Sequence, residues 1–213
     1  MPPALRGLRL NLVALTALAL ISEGPKHPYE IQRVIRLRHH VHAMGRTRAL
    51  YHAVDRLARY RLIEPLETMR EGRRPERTVY QITPAGSDEL QAWIVDLLLA
   101  PAERPDLFWV AIGFVVYLDP DLVRRTLEER HRNLEVSQAS HGGIRAALRD
   151  MGLPRSILLD GELRAVLVDA EMAWLRGVIA DLAGGGLAWS PHASPIELDD
   201  ETRARLEARY MIE

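Results

Sequence analysis

Apolar residues follow different rhythms in successive parts of the chain. Between residues 10 and 23 they are almost continuous: Leu12, Val13, Leu15, Leu18, Leu20 and Ile21 leave no polar face. Arg6 and Arg9 ahead of this run give it the look of a secretion signal. However, the run is shorter than the roughly 20 residues that cross a bilayer. Its small-x-small step, Ala17-Leu18-Ala19, also lies inside the run, whereas a cleavage site would follow it. A first helix is predicted here, covered on most sides by the rest of the fold or by a second subunit, and stopped by Glu23-Gly24-Pro25.

From Pro28 the rhythm becomes helical and one-sided. Pro28 suits a first helical turn, where its missing N–H is no loss, and Ile31, Val34 and Ile35 recur on one face. His39-His40-Val41-His42-Ala43-Met44-Gly45 breaks the pattern and predicts a turn. A third helix, roughly Thr47 to Tyr60, buries Leu50, Val54 and Leu57. The period then drops to two, as in a strand. Leu62 to Arg70 and Arg77 to Ile82 are extended, separated by Glu71-Gly72-Arg73-Arg74-Pro75, and Pro65 requires an edge position. Thr83-Pro84 reads as the N-cap and first residue of a fourth helix reaching about Leu99.

Beyond a linker at Ala100 to Pro105 only helices are expected. Leu107 to Leu118 is strongly apolar, Asp121 to about His141 is amphipathic, and Ser156 to about Leu182 is long. The last carries a stripe of Leu163, Val166, Leu167, Ala170, Trp174, Val178 and Leu182, and Gly184-Gly185-Gly186 ends it. The expected fold is therefore mainly α. A winged helix-turn-helix of three helices and a two-stranded wing, with the fourth helix, occupies residues 1–100. An all-helical dimerisation and effector domain occupies 101–190. Residues 191–213 form a loose tail with room for a short helix at Glu201 to Tyr210.

Charge sharpens this division. The net charge of −1 conceals 15 basic against 7 acidic residues up to position 85, and 13 against 22 thereafter. The first part is suited to a polyanion and the second would repel one. Cysteine is absent, which excludes thiolate chemistry and permits a reducing, cytoplasmic setting.

The third helix has the composition of a reading head for DNA: its other face packs inward while its first turns present donors. Arg46, Thr47, Arg48, Tyr51, His52 and Arg56 are the candidate contacts on this element. An arginine can bridge guanine O6 and N7, and the helix N-terminus favours a phosphate. Arg70, Arg73, Arg74 and Arg77 cluster at the hairpin tip, where arginines suit a narrow minor groove. Leu163, Leu167, Ala170, Trp174 and Val178 are the candidate dimer contacts. Symmetric pairing through them would set two reading helices one DNA turn, or a multiple, apart. Trp93, Phe108 and Trp109 are candidates for an aromatic effector pocket, although plain core is the commoner use of such residues.

Several of these stretches resemble the PadR family of bacterial transcriptional regulators. They are Glu23 to Ile31 (EGPKHPYEI), Ala49 to Leu57 (ALYHAVDRL), Leu62-Ile63-Glu64, and the wing from Glu71 to Gly86 (EGRRPERTVYQITPAG). Together they cover about residues 10–95. The resemblance implies a homodimer that binds double-stranded operator DNA, usually as a repressor, and lets go when a small effector binds. It also matches Tyr51 to the family's recognition-helix tyrosine, and Gly72, Arg73 and Arg74 to its wing tip. Two departures stand out. Arg61 replaces the glycine of the family's Gly-Leu-Ile step, and Gly45-Arg46-Thr47-Arg48-Ala49 replaces its usual glycine and small residue before Leu-Tyr.

Two rival readings are weaker. A metal-dependent enzyme would use His27, His39, His40, His42 or His52, but no second His/Asp/Glu pair at helical spacing accompanies them. No glycine-rich phosphate loop and no Gly-x-Ser-x-Gly elbow is present, so no catalytic residue, metal or cofactor is expected. A winged helix that binds only protein differs from the DNA reading in lacking steep salt dependence.

Overall fold

The computed structural model describes residues 11–37, 47–69, 77–101 and 104–191. They fall into two compact units, one extending to Trp93 and the other running from Ile94 to Pro191. In the first unit, helices α1 (Leu12–Ser22), α2 (Pro28–Leu37) and α3 (Thr47–Arg59) precede strands β1 (Ile63–Met69) and β2 (Arg77–Ile82), and α4 (Pro84–Leu98) follows. The boundary between the units lies inside α4, whereas the sequence suggests the Ala100–Pro105 linker.

The uninterrupted apolar run becomes α1, capped by Asn11, whose Oδ1 accepts from the Val13 and Ala14 amides. Every residue from Ala14 to Ile21 is buried within the chain itself, so no second subunit is required to cover it. The buried Thr16 hydroxyl donates to the Leu12 carbonyl at 2.8 Å, leaving no unpaired proton. Helix α1 packs on α2, α3 and β2. Helix α2 opens with a capping box: the Tyr29 amide donates to His27 Nδ1 at 3.1 Å, and Glu30 Oε2 accepts from the His27 amide at 2.7 Å.

The two strands pair antiparallel, Ile63 opposite Ile82 and Met69 opposite Arg77, with a register shift between Pro65 and Glu67. This bulge places Pro65 where its lack of an N–H does no damage to the ladder. Lys26 adds a short third rung to β2, exchanging backbone hydrogen bonds with Tyr80 at 3.0 and 3.1 Å.

The second unit contains the last turn of α4, then α5 (Pro105–Ile112), a 3-10 turn at Val115–Tyr117, α6 (Pro120–Asp150), a 3-10 turn at Arg155–Ile157 and α7 (Leu159–Ala183). Asp119 caps α6 through Oδ1, and Pro120 occupies its first position. The amphipathic segment continues nine residues past His141, through Gly142 and Gly143. Two glycines weaken a helix by about 1 kcal/mol each, and packing against α7 offsets that. Val123, Thr126, Leu127, Arg130 and Leu134 make the buried face of α6. Further along, polar side chains meet α7: Gln138 Nε2 donates to Ala165 O and Asp169 Oδ1, and Arg145 Nη1 donates to Gly161 O. The segment after α7 is pinned by Trp189, whose indole N–H donates to Leu118 O at 2.8 Å. No helix among the described residues is long and apolar enough to cross a membrane. The expected tail helix at 201–210 lies outside the described residues.

Candidate nucleic-acid interface

Helix α3 divides cleanly into two faces. Leu50, Ala53, Val54 and Leu57 are buried against the domain. Arg48, Tyr51, His52, Asp55 and Arg59 are exposed, and their spacing (i, i+3, i+4, i+7, i+11) aligns them along one side. Arg56 is half-buried at the margin. Tyr51 is 42% exposed, enough for its ring and hydroxyl to reach a neighbouring molecule. Asp55 adds one carboxylate to an otherwise donor-rich face, a group that can accept from cytosine N4 while disfavouring phosphate nearby. It also acts inward: burial, helped by Asp55, raises the pKa of the Tyr80 hydroxyl.

The end of α3 is fixed by a two-bond C-cap. The Leu62 amide donates to Leu57 O at 3.0 Å and the Arg61 amide donates to Ala58 O at 2.9 Å, the 6→1 and 5→2 pair of a Schellman motif. Leu62 and Leu57 are both buried, supplying its usual hydrophobic contact. The motif requires a left-handed residue at the cap, and Arg61 takes that conformation with φ 57°. Glycine takes this conformation without a Cβ penalty, which the arginine bears.

The same corner also anchors the start of α4. Thr83 Oγ1 donates toward the Arg61 and Leu62 carbonyls, at 2.8 and 3.1 Å, and accepts from the Gly86 amide at 3.0 Å. A Cβ on Gly86 would lie 2.0 Å from Leu62 O, so the two segments approach as closely as backbone allows. One joint thus holds the end of the candidate reading helix, the root of β1 and the start of α4.

Of the hairpin residues singled out in the sequence, Arg77 opens β2 and lies opposite Met69. Arg46, Arg70, Arg73 and Arg74 lie outside the described residues, as do His39, His40 and His42. Thr47 begins α3. The structure adds one surface group that the sequence reading passed over: Tyr29, 65% exposed on the first turn of α2. An aromatic residue between a helix-capping histidine and glutamate was its available signal.

In the second unit, Leu163, Leu167, Ala170 and Trp174 are exposed on α7 and Val178 is half-buried. The face of α7 turned toward the rest of the unit buries Val168 and Leu175 instead. Phe108 is buried and Trp109, the next residue, is 67% exposed, so the two do not share a face of α5. Trp93 is buried on α4, and its indole nitrogen has no acceptor among the described residues.

Phe108 instead meets a residue of the buried face of α6 that was not among the candidates. Arg130 stacks its guanidinium 3.8 Å from the Phe108 ring centre, and Phe108 meets Trp174 edge-on at 6.1 Å. Arg130 Nε bonds Glu171 at 2.5 Å, while Nη1 donates to Leu98 O at 2.9 Å and Ala100 O at 2.6 Å. At 2% exposure it is a buried cation held by one carboxylate, two carbonyls at the end of α4 and an aromatic face, while its Nη2 has no acceptor among the described residues.

Residues 17–92 match the model of the transcriptional regulator PadR-like family. No curated protein matches the chain. Among solved structures, one similar chain is that of the crystal structure of Bacillus subtilis PadR in complex with operator DNA. It is 17% identical with a TM-score of 0.37, over 80% of this chain and 99% of that one. Another is smu.1604c from Streptococcus mutans UA159, 16% identical with a TM-score of 0.35, over 81% and 96%. The family match begins inside α1 and ends near Trp93, enclosing α3, its cap and both strands. Over residues 17–92, 76 of the 213, the chain is similar to the transcriptional regulator PadR-like family.

Proposed function

We propose that this protein is a sequence-specific regulator that binds double-stranded operator DNA as a homodimer, represses transcription, and is released by a small molecule. The observation that carries the DNA reading is the exposed row Arg48–Tyr51–His52–Arg59 on α3, held by a rigid cap inside the family-matched segment. Arg48 and Tyr51 read base edges or adjoining phosphates in the major groove. Thr47, His52, Arg56 and the backbone at the start of α3, with Arg46, supply further contacts. Arg70, Arg73, Arg74 and Arg77 on the wing neutralise phosphates or enter the minor groove.

Dimerisation rests on α7. Leu163 and Leu167, 61% and 57% exposed, and the edge of Trp174 form an apolar row on a helix whose other side is already buried. Such a continuous row on a protein surface marks an interaction site, and a second copy of the chain presents the same row by symmetry. The ligand response rests on the second unit, whose interior joins the end of α4 to this face through Arg130, Phe108 and Trp174.

The test is anisotropy of labelled DNA from the region upstream of the protein's own gene, titrated at several salt concentrations. Phosphate neutralisation by six to ten contacts makes affinity fall roughly 10³- to 10⁵-fold between 50 and 200 mM salt. Binding that ignores salt, or prefers no fragment over random DNA, overturns the reading.

A further inference from the structure

The end of α4 is answered from far along the chain. A helix leaves its last four carbonyls without intrahelical partners, and α4 has no basic residue in its last turn to meet them. Arg130 on α6 does so instead: its Nη1 donates to the carbonyls of Leu98, the last residue of α4, and of Ala100 just beyond it. Its Nε holds Glu171 on α7, and its face lies on Phe108 of α5. Phe108 in turn meets Trp174, one turn beyond Glu171. One buried guanidinium therefore ties the end of α4 to α5, α6 and α7, in surroundings where charge-assisted bonds are strong. The start of α4 lies in the first unit with α3, fixed by Thr83 and by the close approach of Gly86 to Leu62 O. Between these two anchorages, from Ser87 to Leu98, there is no glycine or proline at which the helix would kink.

We propose that Arg130 is a positioning residue for DNA recognition: by fixing the direction in which α4 leaves the second unit, it sets the half-site spacing that the dimer accepts. The inference rests on the DNA-binding homodimer proposed above and adds to it a residue outside the first unit. A symmetric dimer engages two half-sites at one fixed separation. Each inserted base pair moves one half-site about 3.4 Å along the duplex and roughly 35° around it. A straight α4 anchored at both ends cannot follow that displacement. Freed from Arg130 at its far end, it swings, and the dimer tolerates the wrong spacing. Trp174 links the anchorage to the dimer, being 45% exposed in the apolar row of α7 while its ring also meets Phe108. Reading of a single half-site by α3 is untouched, because neither Arg130 nor Glu171 belongs to the first unit.

The experiment compares the full-length parent with the double variant Arg130→Met/Glu171→Met. Apolar residues of similar volume in place of a buried ion pair are often neutral for stability. Because both charges leave together, the net charge that attracts DNA is unchanged. The operator is recovered by selecting bound sequences from random DNA with the parent. Anisotropy then gives affinities for this operator, for a version with two base pairs inserted at its centre, and for one half-site alone. The parent should bind the inserted version about 100-fold more weakly than the operator, since the two half-sites are no longer engaged together. In the double variant that ratio should fall to about ten, while half-site affinity stays within about two-fold of the parent's and sedimentation still shows a dimer. Parallel weakening on all three DNAs, with the ratio kept, reduces Arg130 to a structural residue and overturns the inference, as does a monomeric double variant. If the double variant loses helix content, Glu171→Gln is read instead: the ratio should fall about three-fold, and an unchanged ratio overturns the inference. A parent that prefers no DNA sequence, or binds it as a monomer, overturns the proposed function itself. A variant that matches its parent on all three DNAs overturns only this inference.

Discussion

Replacing Arg61 by glycine should make the protein more stable. Arg61 sits at φ 57° because the cap of α3 demands it. For an L-residue that conformation costs roughly 1–2 kcal/mol. Glycine removes the penalty but frees the unfolded chain, which offsets roughly 0.5–1 kcal/mol of the gain. The contacts made here belong to the backbone: the amide to Ala58 O, and the carbonyl to Thr83 Oγ1 at 2.8 Å. All survive in glycine, and the arginine side chain is exposed. The net gain is therefore about 0.5–1 kcal/mol. With a urea m-value of roughly 2 kcal/mol/M, the unfolding midpoint rises by about 0.2–0.5 M at unchanged m. Arg61→Ala serves as the control, since alanine keeps the positive φ and loses only the side chain, and its midpoint should stay near that of the parent. A glycine variant no more stable than the alanine variant refutes the account of strain at the cap.

Gly86→Ala at the other side of the same joint should be strongly destabilising, by about 2–4 kcal/mol, because the new Cβ would meet Leu62 O at 2.0 Å; an unshifted urea midpoint would show the approach to be looser. Arg48→Ala should reduce the preference for operator over random DNA by roughly 1–3 kcal/mol per lost base contact, measured by competition anisotropy. Equal weakening on both DNAs would make Arg48 a phosphate contact instead. Leu167→Glu puts a charge on a position that is 57% exposed within one chain, so the protomer should fold while its sedimentation shifts to monomer. A variant that remains dimeric places the interface elsewhere.

Much of the first unit was legible because local rules and tertiary packing agree there. The uninterrupted apolar run gave α1, the spacing of Leu50, Val54 and Leu57 gave α3, and alternation around Thr78, Tyr80 and Ile82 gave β2 with its bounds. Thr83-Pro84 marked the start of α4, although its hold on the Arg61 carbonyl is 22 positions away and has no sequence signature. The left-handed cap was hidden for a related reason: an arginine gives no hint of positive φ, and only its replacement of a family glycine pointed there. In the second unit the long helices were legible and their joining was not. Arg130 is one basic residue among several on α6; helical spacing from Val123, Leu127 and Leu134 puts it on the apolar face and leaves Arg125 exposed, but does not say what pairs with it. Its partners are Glu171, 41 positions on, and carbonyls freed where α4 ends. Phe108 and Trp109 looked equivalent in sequence, yet a helix turns consecutive residues about 100° apart, so one went inward and the other outward.

The complete enclosure of α1 has a consequence for how substitutions would be tolerated along it. Scanning α3 with a charged residue should give a map that rises and falls with each turn, sparing 48, 51 and 55 and failing at 50, 54 and 57. The same scan from Ala14 to Ile21 should give a flat line of failures, since this cylinder has no outward side on which an error can be hidden.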